Sequence, residues 1–450
     1  MQLEEWKEKN QHRKGYAHFD KKVSLENVWD YINNPDNIKK HGFYPFIHYQ
    51  QIFRKYRKVN GVKQVKRKER DICYCAHIDG YIYSYYAYLV NEAYNKYMKE
   101  HQIDRVAVAY RSNLHKSNIH FAKRAFQQIQ IAEECYIITG DFSNFFDCLE
   151  HCYLKKQLCE VLKMDSLPDD YYAVFKNITK YATWERDDLL TLNGLGKTYK
   201  DIRALNVKQK VLDEQKFRKY KSTYLKKHKE SYGIPQGTAL SAVLANVYMI
   251  KFDEEIHHLS CNYNGLYMRY SDDFIIILPK ISQEEFQNVF EKIKNKIQSV
   301  PNLELQSEKT SVYYYKDSII ANCNTSFLKH NENVKNEIDY LGFTFDGKQV
   351  VIRDKTITKY YDRLYRKLKT IQEQQGYTKK GNRISNKKVY ELYSIKGANG
   401  KDTHNYKQGN FISYVNRSQR IFGENEPINR KTKRHMLKIR RKLDEIEIKY

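Results

Sequence analysis

The chain has 450 residues, with 79 Lys and Arg against 54 Asp and Glu, for a formal net charge of +25. That excess is more than solubility asks of a domain and points to a polyanionic partner. With 41% hydrophobic residues, including 40 Tyr and 20 Phe among the aromatics, there is ample material for a core, so wholesale disorder is excluded. No apolar run approaches the roughly 20 residues that span a bilayer. The polar start MQLEEWKEKN is unlike a signal peptide, so the expectation is a cytoplasmic protein with no membrane partner.

The charge is unevenly spread. Residues 54–70 carry a net +8, 197–230 a net +8 and 353–450 a net +16, while the other 301 residues sum to −7. A slightly acidic body with three basic arms places phosphate contacts on the arms, although Lys-rich solvated surface would give the same count.

In chain order, residues 23–34 predict a helix, and the aromatic stretch HGFYPFIHY follows. The first basic arm reads as a hairpin turning at Asn60-Gly61. DGYIYSYYAYLVNEAYNKYM (79–98) and residues 117–134 have apolar and aromatic residues at helical spacing, and the tyrosine run reads as helix-packing surface rather than a base-stacking platform. CYIITG (135–140) predicts a buried strand ending at Asp141. Asp147 as N-cap, with Glu150 three residues on, predicts a helix start. Residues 160–230 read as helix and loop, and TALSAVLANVYMIKFDEEI as one long helix after the GIPQG turn. LYMRYSDDFIIIL (266–278) reads as two strands around a tight acidic turn. Further strands are expected at 303–315 and 338–352, and helices beyond 354. The eight cysteines form no C-x-x-C pair, and Cys148, His151, Cys152 and Cys159 spread around one helix, so free thiols are favoured over a metal centre.

The chemistry is carried by Asp141, at the end of one apolar strand, and Asp272 with Asp273 in the turn between two others. Carboxylates in apolar settings are costly unless neutralised, and hard divalent cations with oxygen ligands neutralise them. Two such ions held about 3.5–4 Å apart are the standard device for in-line phosphoryl transfer. Taken singly, each acid could equally be a helix cap or a solvated turn residue.

The ordered segments ITGDFSNFFDCLEH, GIPQGTALSAVLANVYM, MRYSDDFIIIL, ELQSEKTSV and DYLGFTF resemble motifs A to E of bacterial reverse transcriptases of the group II intron, retron and defence-associated lineage. The resemblance runs from about residue 50 to 420 and implies an α+β right-hand polymerase fold. Residues 1–134 would form an N-terminal segment and fingers, and 135–160 palm with motif A. A basic connection would follow at 161–230, palm with motifs B to E at 231–352, and a basic α-helical thumb at 353–450.

It further implies that Asp141, Asp272 and Asp273, with the carbonyl of Phe142, bind two Mg²⁺ ions, with Mn²⁺ a possible substitute. Phe146 would be the steric gate that selects dNTPs, with Phe145 beside it in the core. Gln236 would approach the incoming nucleotide, and Gly237 would let the backbone come close to it. Lys309 would face the leaving pyrophosphate, and Arg67 and Arg70 would hold the triphosphate. Tyr340, Leu341 and Gly342 would grip the primer. Arg111, Lys116, Lys387, Lys388, Arg417, Arg440 and Arg441 would contact nucleic acid, with Lys123 and Arg124 near template phosphates. Ser271 stands where the lineage usually has Ala, and a near-isosteric exchange implies unchanged chemistry.

The retron signatures and the Ser-Gln form of motif B are absent, and nothing after the thumb resembles an endonuclease or RNase H. The N-terminal pattern is most similar to antiphage reverse transcriptases, particularly a type in which two polymerases operate with a small noncoding RNA. That likeness implies a cognate structured RNA as template, a DNA product, and either a homo-oligomer or a second polymerase subunit. Two other readings stay open: a template-independent or protein-primed polymerase of the abortive-infection kind, using a Tyr or Ser hydroxyl as primer, and an RNA-binding maturase or chaperone.

Overall fold

A computed structural model of the chain describes residues 2–11, 15–59, 62–328, 335–373, 377, 386–398 and 409–445. Its strands, in chain order, are β1 (Phe46–Val59), β2 (Val62–Tyr74), β3 (Glu134–Asp141), β4 (Ala182–Glu185), β5 (Lys226–Lys227), β6 (Leu266–Tyr270), β7 (Asp273–Pro279), β8 (Ser311–Lys316), β9 (Ile319–Asn322), β10 (Ile338–Tyr340), β11 (Phe343–Phe345) and β12 (Val350–Ile352). The architecture is α+β, built on three sheets and many helices, and the names palm, fingers and thumb refer to the regions expected under those names from the sequence.

The palm sheet has the order β6-β7-β3-β8-β9 and every pairing in it is antiparallel. Successive side chains of a strand face opposite ways, and here both faces are covered. Tyr136, Ile138, Phe274 and Ile276 join one core with the helices His77–Glu100, Ala239–Tyr248 and Gln283–Ser299. Ile137, Met268, Ile275 and Ile277 join a second core with the helix Asn118–Ala132, β10–β12 and the thumb. Two-sided burial is why CYIITG and FIIIL are continuous rather than alternating apolar runs. The tyrosine-rich helix buries Tyr81, Tyr83, Tyr86, Tyr94 and Tyr97, so its rings are packing surface.

The fingers sheet has the order β2-β1-β4-β5. Val59 faces Val62 across the hairpin; the Asn60-Gly61 turn itself lies outside the described residues. β4 is parallel to β1 and lies in a stretch expected to be helix and loop. Four residues are too few to show a period; burial of Trp184, at 0% exposure, in a third core with Phe19, Ile47, Leu189 and Leu212 fixes this strand. In the thumb, Ile357, Tyr360, Tyr361, Leu364, Leu368 and Ile371 form the buried stripe of the helix Asp354–Glu373.

Two local expectations are corrected. The helix cap is Glu150, not Asp147: its carboxylate accepts from the Cys152 and Tyr153 amides, and the helix runs His151–Leu162. The long helix after GIPQG is two helices, Ala239–Tyr248 and Ile250–Cys261, separated at Met249. That break separates Asn246 from Asp253, two side chains that meet at one buried arginine.

Candidate active site

The registers of the palm sheet bring the acids together. Asp141 ends β3 directly opposite Asp273, the first residue of β7, and Asp272 occupies the turn between β6 and β7. The Phe142 amide donates to the Asp272 carbonyl at 3.2 Å, and the Gln306 amide donates to the Asp141 carbonyl at 2.8 Å, so both chain crossings are pinned. The Lys309 ammonium donates to Asp141 Oδ2 at 2.7 Å.

Crowding raises the neighbouring carboxyls. Desolvation and then the Asp141 charge push Asp272 upward. Desolvation, then Asp272 and Asp141, push Asp273 up to about 7, although the residue is exposed at its surface. Among the described residues no three His, Cys, Asp or Glu side chains converge closely enough to hold one ion. The donor set nevertheless fits hard divalent cations: it is all oxygen, its members repel one another, and a lysine ammonium already occupies Asp141 as a cation would.

The Asp273 shift has a stability consequence. The folded protein holds a proton at about 7 that the unfolded chain loses near 3.9. The folded state therefore binds more protons between those values, and stability falls as pH rises through that window. Melting in EDTA should show Asp273→Asn more stable than wild type, by a margin that widens from pH 5 to 7 and levels off above. Added Mg²⁺ should raise the wild-type melting temperature more than that of the variant. A margin independent of pH would contradict the shift.

A cleft of about 720 Å³ opens beside these acids. Asp141, Phe142 and Asp272 line it together with Phe145, Phe146 and Lys309, with the hydrogen-bonded pair Gln236 and Asp147, and with Arg67, Glu69, Arg70 and Asp71 of β2. β2 is the edge strand of its sheet, so residues of both parities reach the cleft. The Lys66 and Lys68 side chains lie outside the described residues. Phe145 is 3% exposed and Phe146 half-buried, its ring edge-on to Phe145 at 5.7 Å. Gln236 Nε2 donates to Asp147 Oδ1 at 3.4 Å, and desolvation, reinforced by Asp71, raises the Asp147 carboxyl.

Several expected contacts are otherwise engaged. Arg111 is a correction: it is 3% exposed, and its guanidinium donates to Asp104 Oδ1 at 2.5 Å, to Asn95 Oδ1 at 2.8 Å and to the Ala107 carbonyl at 3.1 Å, so it holds a loop rather than a phosphate. Lys123 Nζ and Arg124 Nη1 donate to the carbonyls of Ile421 and Arg105. Gly237 is a second correction. It has φ +131°, and a Cβ there would lie 2.2 Å from the Cys73 carbonyl oxygen. The Cys73 amide donates to the Gln236 carbonyl at 3.0 Å, so the close approach is to fingers strand β2 rather than to a nucleotide.

Tyr340, Leu341 and Gly342 form the β10–β11 corner, with Leu341 at φ +47° and Gly342 at φ +93°. Tyr340 is 3% exposed. Asn118 Nδ2 donates to the Leu341 carbonyl at 2.9 Å and to Tyr414 Oη at 3.1 Å, tying this corner to the thumb helix Phe411–Phe422. Lys116 and Arg417 are exposed and both bear on His120, whose protonation is disfavoured by burial and then by these charges. Arg440 and Arg441 are exposed on the helix His435–Asp444, while the Lys387 and Lys388 side chains lie outside the described residues.

Local pattern does not single out Tyr110, Arg269 or the Ser271 hydroxyl, yet they meet at the acidic turn. Tyr110 lines the cleft, 48% exposed, with its hydroxyl 3.1 Å from Ser271 Oγ. The Ser271 hydroxyl also favours the ionised form of Asp272 slightly, which alanine could not do. The exchange is therefore not chemically silent. An arginine inside the apolar run LYMRY, two residues before the acidic turn, was the signal available in the sequence.

Among known proteins, residues 194–345, roughly a third of the chain, match the family model described as "Reverse transcriptase (RNA-dependent DNA polymerase)". The chain thus carries a reverse transcriptase domain, the domain of an RNA-directed DNA polymerase. No curated protein matches it. Similar solved structures include apo telomerase from Candida tropicalis truncated from its C-terminal domain, 14% identical with a TM-score of 0.41 over 73% of this chain and 60% of that one. A second structure of apo telomerase from Candida tropicalis is 14% identical, TM-score 0.41, over 96% of this chain and 76% of that one. Telomerase from Candida albicans in complex with a TWJ fragment of telomeric RNA is 14% identical, TM-score 0.37, over 88% and 63%. The chain spans less than two thirds of the first and third of these. Among the described residues no helix is long and apolar enough to cross a membrane.

Proposed function

We propose that the chain extends a primer 3′-hydroxyl with dNTPs by phosphoryl transfer, copying a cognate structured noncoding RNA into DNA in antiphage defence. The observation that carries the polymerase reading is the Asp141–Asp273 cross-strand pair, with Asp272 next to it in the turn, and Asp141 and Asp272 lining a cleft shared with Lys309, Phe146 and Gln236. Two Mg²⁺ ions held by Asp141, Asp272, Asp273 and the Phe142 carbonyl would activate the attacking hydroxyl and stabilise the leaving pyrophosphate.

The chain's own groups do the rest. Arg67 and Arg70 meet the triphosphate at the cleft mouth, and Lys309 exchanges its Asp141 contact for the developing charge on the pyrophosphate. Phe146 closes the space beside the sugar. The corner Tyr340–Gly342, tied to the thumb through Asn118, holds the primer strand. Lys116, Arg417, Arg440 and Arg441 supply salt-sensitive phosphate contacts, and Lys387 and Lys388 join them in this reading. The defence role and the cognate RNA are supported by the likeness of the N-terminal pattern. Purified protein with Mg²⁺, dNTPs and its co-purifying RNA should make DNA, and cells expressing it should resist phage; synthesis without protection would sink the defence role alone.

Phe146 gives a direct test of sugar selection. Phe146→Ala should reduce discrimination against rNTPs by roughly 10- to 100-fold, as expected for one apolar pocket contact of ~1–3 kcal/mol. Single-nucleotide incorporation with matched dNTP and rNTP reads this ratio, and an unchanged ratio would remove Phe146 from the gate.

A second reading, protein priming, is favoured by the exposed Tyr110 hydroxyl in the same cleft. DNA product that stays in the phenol layer until protease treatment, and no longer does so in Tyr110→Phe, would support it. Product that partitions into the aqueous phase would exclude it.

A further inference from the structure

The turn that carries Asp272 and Asp273 has a backbone conformation that its own residues disfavour. Ser271 has φ +63°, the left-handed region that a side chain with a Cβ adopts only under constraint. The constraint is visible beneath it. Arg269 is 0% exposed, and its Nη1 donates to the Ser271 carbonyl at 2.8 Å. The same guanidinium is fixed by two bonds to Asp253, Nε to Oδ1 at 2.9 Å and Nη2 to Oδ2 at 2.6 Å, and Nη1 also reaches Asn246 Oδ1 at 3.3 Å.

Asp253 and Asn246 stand on the two halves of the broken helix, so both halves brace the arginine. The Arg269 amide donates to the Val106 carbonyl and its carbonyl accepts from the Val108 amide, both at 2.9 Å. Asn246 Nδ2 donates to the Ala109 carbonyl at 2.9 Å, which fixes the loop presenting Tyr110 to Ser271 Oγ.

We propose that Arg269 is a positioning residue: by holding the Ser271 carbonyl it keeps the turn left-handed and so aims Asp272 and Asp273 at Asp141. This deepens the polymerase reading and rests on it. A buried Arg–Asp pair could instead serve folding alone, and the two roles separate cleanly. Lysine at 269 keeps the charge and can meet Asp253, but a single ammonium cannot also span the forked contact to Ser271. Glycine at 271 adopts positive φ freely, so it removes the need for the hold.

The test compares wild type, Arg269→Lys, Ser271→Gly and the double variant by Mn²⁺ titration followed by electron paramagnetic resonance, and by primer extension on a poly(rA)/oligo(dT) duplex. Arg269→Lys should weaken Mn²⁺ binding at least about tenfold and lower kcat about a hundredfold, with KM for dTTP within about twofold, as expected when reacting groups are misaimed. Adding Ser271→Gly should recover at least about tenfold of both losses. A merely structural role predicts losses that follow melting temperature and are not rescued by glycine.

A folded Arg269→Lys protein with wild-type Mn²⁺ binding overturns the proposal, as does a double variant no better than the single one. Should Arg269→Lys not fold, Arg269→Met with Asp253→Leu carries the same comparison, with and without Ser271→Gly, because paired buried charges tolerate joint apolar replacement. Wild-type protein that neither binds Mn²⁺ nor extends a primer overturns the polymerase reading and this one with it. Competent wild type with unchanged variants overturns this one alone.

Discussion

Asp272→Asn is expected to reduce DNA synthesis by at least about a thousandfold, equivalent to ~4 kcal/mol of transition-state stabilisation. The size follows from where the residue lies. Its carboxylate feels the charge of Asp141 and acts on Asp273, its backbone carbonyl receives the Phe142 amide, and with Asp141 it lines the cleft, so its charge is part of one anionic group. Asparagine is isosteric and keeps the backbone contact, so the fold should survive. Removing a carboxylate whose ionised form is disfavoured by desolvation and by Asp141 should leave thermal stability at neutral pH equal or higher. RNA binding, which the proposed function places on the basic arms, should be unchanged. Primer extension, melting and filter binding on one preparation separate these outcomes. Substantial synthesis by the variant would sink the metal assignment, and phage protection retained by a synthesis-dead variant would favour an RNA chaperone.

Gly237→Ala is expected to be the most damaging single methyl addition in the motif that contains it. The new Cβ would stand 2.2 Å from a backbone oxygen, Cys73 O, at φ +131°. Neither the strand nor the turn can yield cheaply, because the Cys73 amide and the Gln236 carbonyl are bonded to each other across the same contact. Backbone strain of ~1–3 kcal/mol and a lost hydrogen bond of about 1 kcal/mol should lower the melting temperature. They should also separate β2, with Arg67, Arg70 and Asp71, from Gln236. Steady-state kinetics should then show KM for dNTP raised about tenfold or more, with a smaller change in kcat. An alanine variant with wild-type stability and KM would show that β2 does not depend on this contact.

What the sequence made legible was local. Continuous apolar runs announced the central palm strands, and the spacing of tyrosines announced a packed helix whose rings are indeed buried. Glu150 displaced Asp147 as the cap because Asp147 is taken up in a preceding 3₁₀ turn, Phe145–Asp147, and the helix begins only at His151. Strand β4 escaped notice because its four residues gain their strand character from β1 alongside them. Arg111 looked like one more basic contact, since charge counts do not distinguish a cation facing solvent from one buried against Asp104.

By itself the sequence determined the order of the motifs, the identity of the acids and the excess of positive charge in three arms, because each is a property of residue type and spacing. The tertiary structure decided which groups share a space. Cross-strand register set Asp141 opposite Asp273, the fingers strand claimed the room above Gly237, and a buried arginine fixed the turn at Ser271. The physical reason is that electrostatic and steric demands act through distance in space, and residues remote along the chain become neighbours only once the sheets have paired.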